Sequence, residues 1–250
     1  MRMTLEEFFA QHPRAALGFS GGVDSAYLLY AARQCGCQVG AYFIKTPFQP
    51  QFELEDAHRL AVGLGVRLQV LEFDVLALDE VAENGPRRCY YCKRALFGRL
   101  AQQARQDGYP VLLDGTNASD DAADRPGMQA LRELEVRSPL RLCGLTKDEI
   151  RRRSREAGLF TWDKPAYACL ATRIPTGTPI AGGDLKRVER GEKALFALGF
   201  SDFRIRLYHG AARIQLTAAD FARLPQARVQ VEEALRPDFD AVLVDLRSRP

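Results

Sequence analysis

Residues 15–32 read AALGFSGGVDSAYLLYAA, and the reading of that stretch decides the fold. The apolar run Ala15, Ala16, Leu17 and Phe19 breaks at Ser20-Gly21-Gly22. A helix-period pattern of Val23, Ala26, Tyr27, Leu28, Tyr30 and Ala31 then begins at once. Strand, glycine turn, helix is the geometry that binds phosphate. Gly21 and Gly22 let the backbone take positive φ and approach a ligand with no Cβ in the way. Their N–H groups and those of the first helical turn converge on one concavity, where the helix dipole adds partial positive charge. The Ser20 and Ser25 hydroxyls add donors, and Asp24 is placed to accept from them or to hold Mg2+.

The loop lacks the lysine of G-x-x-x-x-G-K-S/T, so it is not of the kinase type. SGGVDS is similar to the PP-loop, SGGxDS, of the N-type ATP pyrophosphatases. That resemblance implies a Rossmann-like parallel α/β domain that cleaves ATP between its α and β phosphates, the loop cradling the departing pyrophosphate. The plainer alternative is a turn in which Asp24 serves a helix N-terminus. Six matching residues between a strand and a helix favour the phosphate loop.

The 250 residues suffice for one or two domains with a full core, and 46% hydrophobic with 27% charged residues describes a soluble globular chain. Lys and Arg number 35 against 32 Asp and Glu, a net charge of +3, which does not favour nucleic acid as a partner. No apolar run approaches the ~18 residues of a membrane span. The opening MRMTLEEFFAQHP is acidic and amphipathic, unlike a signal peptide, so the expected location is cytoplasmic. The six cysteines then read as thiols for metal or chemistry.

Along the chain, Thr4–Gln11 reads as a helix with a Thr4/Glu7 capping box. Gln38–Ile44 and Arg67–Phe73 read as strands around a helix over Glu53–Leu64, and Val111–Asp114 as a fourth strand. Val136–Leu140 reads as a fifth. This alternation predicts βαβ units and a parallel sheet, with ligands beyond its carboxyl ends, where Phe43, Lys45 and Thr116 would line the nucleotide pocket. The acidic stretch Ala118–Gly127 fits the mouth of such a site or an ordinary solvated loop. Thr146–Glu149 reads as a capping box opening a helix whose Arg151, Arg152, Arg153 and Arg155 form a solvated face.

Three stretches bear on a second chemistry. RRCYYCK, residues 87–93, places Cys89 and Cys92 at the start of a helix with the spacing of a shared metal, beside Arg88, Lys93 and Arg94, which would favour thiolates. WDKPAYACLATRIPTG, residues 162–177, places Cys169 between two prolines, with Lys164 and Arg173 near in sequence. Buried structural cysteines are the plain reading of both. Beyond a boundary near Thr176–Gly182 the pattern changes to a helix over Leu185–Leu198 and strands at Phe203–Tyr208 and Ala212–Leu216. A helix over Ala227–Leu235 and a strand over Ala241–Leu246 follow. This predicts domains at 1–178 and 179–250, the second a small α+β unit. Arg204 and Arg206 share one strand face, as an anion clamp or a solvated surface.

SGGVDS, RCYYCK, DGTN (Asp114–Asn117), DRPG (Asp124–Gly127), SPL (Ser138–Leu140), LTKDEIR (Leu145–Arg151), KPAYACLATRIPTGT (Lys164–Thr178) and the FRIR/ARI pair together resemble the LarE family nearly end to end. The resemblance implies a homo-oligomeric sulfur transferase acting on pyridinium-3,5-biscarboxylic acid mononucleotide in nickel-pincer cofactor synthesis. It implies a nucleotide site at Ser20, Gly21, Gly22, Asp24 and Ser25. It also implies substrate contacts at Arg204, Arg206 and Arg173, with Glu192 positioning Mg2+ or pyrophosphate. The family has two sulfur strategies: one cysteine gives up its own sulfur, or three cysteines hold a 4Fe-4S cluster. Cys89, Cys92 and Cys169 match the second, which is expected here because a cluster can be recharged. A zinc site completed by Cys143 and a redox disulfide are the alternatives. A PP-loop tRNA thiolase and a non-catalytic nucleotide-binding module are the rival functions. The chain departs from the family at Gln215, where ARIE is expected and ARIQ stands.

Overall fold

The computed structural model describes residues 2–120 and 126–249, so Asp121, Asp124 and Arg125, expected at the site mouth, lie outside the described residues. In chain order the elements are α1 (Leu5–Gln11), β1 (Arg14–Gly18), α2 (Val23–Gln34), β2 (Gln38–Lys45), α3 (Gln51–Gly63) and β3 (Leu68–Glu72). Then come α4 (Asp79–Ala82), α5 (Arg88–Gln106), β4 (Leu112–Leu113), α6 (Pro126–Glu133), α7 (Pro139–Leu142) and α8 (Lys147–Glu156). The last are α9 (Gly182–Ala197), β5 (Phe203–Tyr208), β6 (Ala211–Leu216), α10 (Ala218–Leu235) and β7 (Val242–Val244). The chain forms two compact units, Met1–Val75 with Arg87–Ala166, and Leu76–Pro86 with Tyr167–Pro250.

In the larger unit the strands run parallel in the order β3-β2-β1-β4. Alternation along β1 and β2 explains the layers. Ala15, Leu17, Val39, Ala41 and Phe43 pack with α1, α2, α3 and α8, while Ala16 and Tyr42 pack with Leu100 and Ala104 of α5. The Thr4/Glu7 capping box opens α1 as its sequence requires. The order reverses at β1, whose neighbours are β2 and β4, so a crevice opens beyond the carboxyl ends of β1 and β4.

Two expectations in this unit need correction. The fifth strand shrinks to a single bridge, Leu113 with Arg137, because Pro139 has no N–H to give a ladder and instead opens α7. Arg151 is not part of a solvated face: it donates to Trp162 O and Lys164 O, both at 2.8 Å, and pins that segment to α8. Thr146 does cap α8, but Glu149 turns its carboxylate to Arg152 and Arg153.

The smaller unit holds an antiparallel β5–β6 hairpin, with β7 parallel to β6. Its turn is His209-Gly210, both at positive φ, as a tight two-residue hairpin needs. Phe203, Ile205, Ala212 and Ile214 are buried on the face that α9 and α10 cover. The segment 76–86 joins through Asn84, whose Nδ2 donates to Pro175 O at 2.8 Å and Thr178 O at 2.9 Å. Helix α10 begins nine residues before the expected Ala227, capped by Thr217, and runs through Pro225.

Candidate functional site

Beyond β1 the chain turns through Phe19–Gly22 into α2. Gly21 holds φ +71°, and a Cβ there would stand 3.0 Å from Glu53 O and 3.1 Å from Ala57 N, so only glycine passes beneath α3. Gly22 caps α2 without a side-chain bond, which leaves the first-turn N–H groups facing the loop mouth. Ser20 and Ser25 Oγ lie 3.1 Å apart, and Ser25 Oγ donates to Gly22 O at 3.2 Å. Beyond β4, Asp114 accepts from Ser138 Oγ at 2.6 Å and from Thr116 Oγ1.

Asp24 sits in the first turn of α2. Its Oδ2 accepts from Lys147 Nζ at 2.6 Å, while its Oδ1 is buried with no hydrogen-bond partner among the described residues. Burial raises its carboxyl above the usual range, against the lowering pull of Lys147. A buried carboxylate oxygen without a donor is a place for a cation. Lys147, which opens α8, thus brings to the glycine loop the lysine that the loop itself lacks. Sequence reasoning took LTKDEIR for a helix cap and a family signature; nothing local tied its lysine to Asp24.

Cys89 and Cys92 lie one helical turn apart at the start of α5, Cys89 exposed and Cys92 half-buried. Arg87 and Arg94 each stack on the Tyr90 and Tyr91 rings between these thiols, and Tyr90 Oη donates to Glu133 Oε2 at 2.7 Å. Burial raises the thiols of Cys35 and Cys143 and pushes Cys37 up to about 11, so these three stay protonated at neutral pH. Within each unit, and among the described residues, no three His, Cys, Asp or Glu side chains are grouped to hold a metal ion. Lys164, expected to favour a thiolate, pairs instead with Asp56 at 2.5 Å.

In the smaller unit Cys169 immediately precedes a short 3-10 turn, Leu170–Arg173. Arg173 and Glu192, each 1% exposed, form a two-pronged pair: Nε donates to Oε1 at 2.7 Å and Nη2 to Oε2 at 3.1 Å. Oε1 also accepts from Ile205 N at 2.9 Å, and Oε2 from Tyr167 Oη. Arg173 Nη1 donates to Ala168 O at 3.1 Å and Thr172 Oγ1 at 2.9 Å. Each polar side-chain atom of both residues is therefore engaged within the fold. This corrects the expectation that they touch substrate, Mg2+ or pyrophosphate: the pair fixes residues 168–173, and Cys169 with them, against α9 and β5.

Arg204 and Arg206 do share a face of β5. Arg204 Nη1 donates to Phe203 O at 2.5 Å, and its guanidinium lies 5.3 Å from the Tyr167 ring centre. Arg206 donates from Nε to Gln215 Oε1 at 2.6 Å and from Nη1 to Thr172 O. Burial and the guanidiniums of Arg173 and Arg249 pull Arg204 down to about 10 and shift Arg206 the same way. Crowded cations that depress one another are relieved by a bound anion.

No protein-family model matches the chain. Over 208 residues it is 33% identical to the pyridinium-3,5-bisthiocarboxylic acid mononucleotide synthase of Lactiplantibacillus plantarum, spanning 82% of this chain and 75% of that one. The chain belongs to the LarE family. It is also 37% identical over 213 residues to an uncharacterised protein of Synechocystis, spanning 85% of this chain and 80% of that one. A more distant likeness, 25% over 193 residues, is to the tRNA-specific 2-thiouridylase of Thermotoga petrophila, across 60% of this chain and 54% of that one.

Within this LarE-family chain the remaining expected residues divide. Ser20, Gly22, Asp24 and Ser25 are brought together. Thr116 is buried against Asp114, and Lys45 Nζ donates to Gln49 O at 2.5 Å, closing the loop after β2. Phe43 is buried on the face of β2 that packs with α2 and α3, and Tyr42 is buried on the other. At the LarE departure, Gln215 links Arg206 to Asp245, donating to Asp245 Oδ2 at 3.0 Å. A neutral amide thus stands where the resemblance led to the expectation of an acid.

Proposed function

We propose that this chain is an ATP-dependent sulfur transferase that turns a carboxylate of pyridinium-3,5-biscarboxylic acid mononucleotide into a thiocarboxylate for a nickel-pincer cofactor. The observation that carries the ATP half is Asp24, whose buried Oδ1 lacks a donor beneath an uncapped helix N-terminus, in a chain of the LarE family. The first-turn N–H groups of α2, with Ser20, Ser25 and Lys147, bind the phosphates, and Asp24 Oδ1 is the oxygen that would hold Mg2+. A substrate carboxylate oxygen attacks the α phosphorus. The bond from that phosphorus to the bridging oxygen breaks, and pyrophosphate leaves with the displaced electron pair. Lys147 and the backbone donors stabilise the charge that gathers there. The acyl-adenylate now carries AMP as a leaving group, which an ionised carboxylate lacks. A sulfur nucleophile adds at the carbonyl carbon, the carbon–oxygen bond to AMP breaks, and a thiocarboxylate remains.

Cys89, Cys92 and Cys169 are the thiols that would hold a 4Fe-4S cluster, which when bound supplies an iron open to transferable sulfide. The donor chemistry of the first two fits it, as exposed and half-buried thiols one turn apart at the head of a helix. The substrate's phosphate is assigned to Arg204 and Arg206. The smaller unit is further assigned to assembly of like copies.

The test is a pyrophosphate-release assay with substrate and Mg·ATP. Asp24→Asn should reduce release to background. Cys169→Ala should stop thiocarboxylate formation while pyrophosphate release stays within about twofold. Normal release from the Asp24 variant would overturn the ATP assignment. A strongly salt-dependent shift of bulk tRNA, with no turnover of the mononucleotide, would favour the thiolase reading.

A further inference from the structure

We infer that Arg151 is a positioning residue for sulfur transfer, holding the chain segment that leads to Cys169 to the same helix whose Lys147 meets Asp24. The inference rests on the proposed reaction and concerns its second step, the attack of sulfur on the acyl-adenylate.

Lys147 and Arg151 stand four residues apart on α8, one above the other on the same face. Lys147 Nζ donates to Asp24 Oδ2 at 2.6 Å, at the head of α2. One turn on, Arg151 donates from Nη1 to Trp162 O and from Nη2 to Lys164 O, both at 2.8 Å. One planar guanidinium thus grips two carbonyls two residues apart. The single nitrogen of a lysine does not reproduce that fork.

The gripped stretch has little regular structure of its own. Residues 164–169 lie in neither helix nor strand, and Pro165 has no N–H to offer. Turn bonds from Trp162 N to Leu159 O and from Lys164 N to Thr161 O, each 3.1 Å, shape it locally. Arg151 ties it to α8, and Lys164 ties it to α3: Lys164 Nζ meets Asp56 Oδ2 at 2.5 Å and lies 5.1 Å from the Phe52 ring centre. Helix α3 is the one beneath which Gly21 passes. Glu53 O and Ala57 N, which flank Asp56 in sequence, are the atoms that a Cβ at Gly21 would meet. Both helices that hold residues 162–164 therefore also border the glycine loop, and Cys169 follows Lys164 by five residues.

This placement matters because water competes with sulfur for the acyl-adenylate. Water adding at the carbonyl carbon breaks the bond to AMP and returns the starting carboxylate, so ATP is spent without product. A nucleophile displaced by about 1 Å can lose about a hundredfold in rate. A looser segment should therefore cost the second step and spare the first.

The experiment is a single turnover of the full chain with the mononucleotide substrate, Mg·ATP and sulfide, following pyrophosphate and thiocarboxylate together. In Arg151→Gln and Arg151→Lys, pyrophosphate release and its ATP dependence should stay within about threefold, while thiocarboxylate formed per pyrophosphate falls about tenfold or more. Hydroxylamine should trap more acyl-adenylate from the variants than from the unchanged chain. Circular dichroism confirms that each variant is folded. The lysine variant keeps a positive charge facing Asp24, so a loss common to both variants belongs to the two-pronged grip. If pyrophosphate and thiocarboxylate fall together, or lysine restores the ratio that glutamine loses, Arg151 acts by its charge on the nucleotide site. The inference is then overturned while the proposed function stands. An unchanged ratio in both variants overturns it as well. If the unchanged chain releases no pyrophosphate, the proposed function falls, and the inference with it.

Discussion

An ionised Asp24 is not what folding alone would select, since burial favours its neutral form and outweighs the opposing pull of Lys147 and, more weakly, Arg151. The sign of the effect follows from linkage. The folded value is raised above the unfolded 3.8, so between the two the native state holds the proton more firmly. Stability therefore falls as pH rises through that window, and the cost persists at neutral pH. Asp24→Asn removes it. The variant without nucleotide should melt at the same temperature or higher, by up to about 1 kcal/mol in stability, even though it has lost pyrophosphate release. Lys147, with 29% of its side chain exposed, can return its charge to water, so losing the partner does not reverse the sign. A thermal melt checks this, and a drop of several degrees would mean that the carboxylate supports the fold instead. The glycine loop and both serines were legible because their chemistry is local. Lys147 was not, because its meaning depends on a residue 123 positions away. The Arg173–Glu192 pair was misread for a related reason: sequence shows charge but not that both ends are already satisfied.

At the level of elements, hydrophobic period decided what could be read. Continuous apolar runs gave β1 and β2, and the 3.6-residue pattern gave α2 and α5, because both depend on faces that must be buried. Proline stands at two of the differences. Pro139 falls inside the span expected as a fifth strand and instead opens α7, while α10 runs through Pro225 and begins nine residues before the expected Ala227. A proline in the first turn costs a helix nothing, whereas one farther in is tolerated only where other contacts hold the helix. The β5–β6 hairpin offers a sharper test, because its turn sets which face Arg204 and Arg206 share. Gly210 holds φ +84°, and a Cβ there would lie 2.1 Å from Asp240 Oδ2. Gly210→Ala should therefore cost about 1–3 kcal/mol through left-handed strain and displacement of Asp240. Gly98→Ala, in the interior of α5 with nothing within 4 Å of the new Cβ, should instead stabilise by about 1 kcal/mol. Urea titration midpoints for the two variants should move in opposite directions. A shift of the same sign in both would show that the turn does not constrain the hairpin.

For the whole molecule, the division into two units separates the chemistry. Ser20–Ser25 and Lys147, which would meet ATP, belong to the larger unit, while Cys169, the Arg173–Glu192 pair and the arginine face belong to the smaller. Each unit has its own core, so a change deep in one should be felt first as a loss of that unit's stability. Glu192→Gln is the cleanest such change. It leaves Arg173 as a buried cation without its countercharge, which costs about 3–5 kcal/mol in comparable sites, and it loosens residues 168–173. Scanning calorimetry of the variant should show an early transition that the unchanged chain lacks. A non-hydrolysable ATP analogue should raise only the later transition, since a ligand stabilises only the structure it binds. Analogue affinity should stay within about twofold, while thiocarboxylate formation fails because the segment carrying Cys169 is no longer held. If one transition carries the whole loss and analogue affinity falls with it, nucleotide binding depends on the smaller unit as well, and the assignment of ATP chemistry to the parallel sheet alone is wrong.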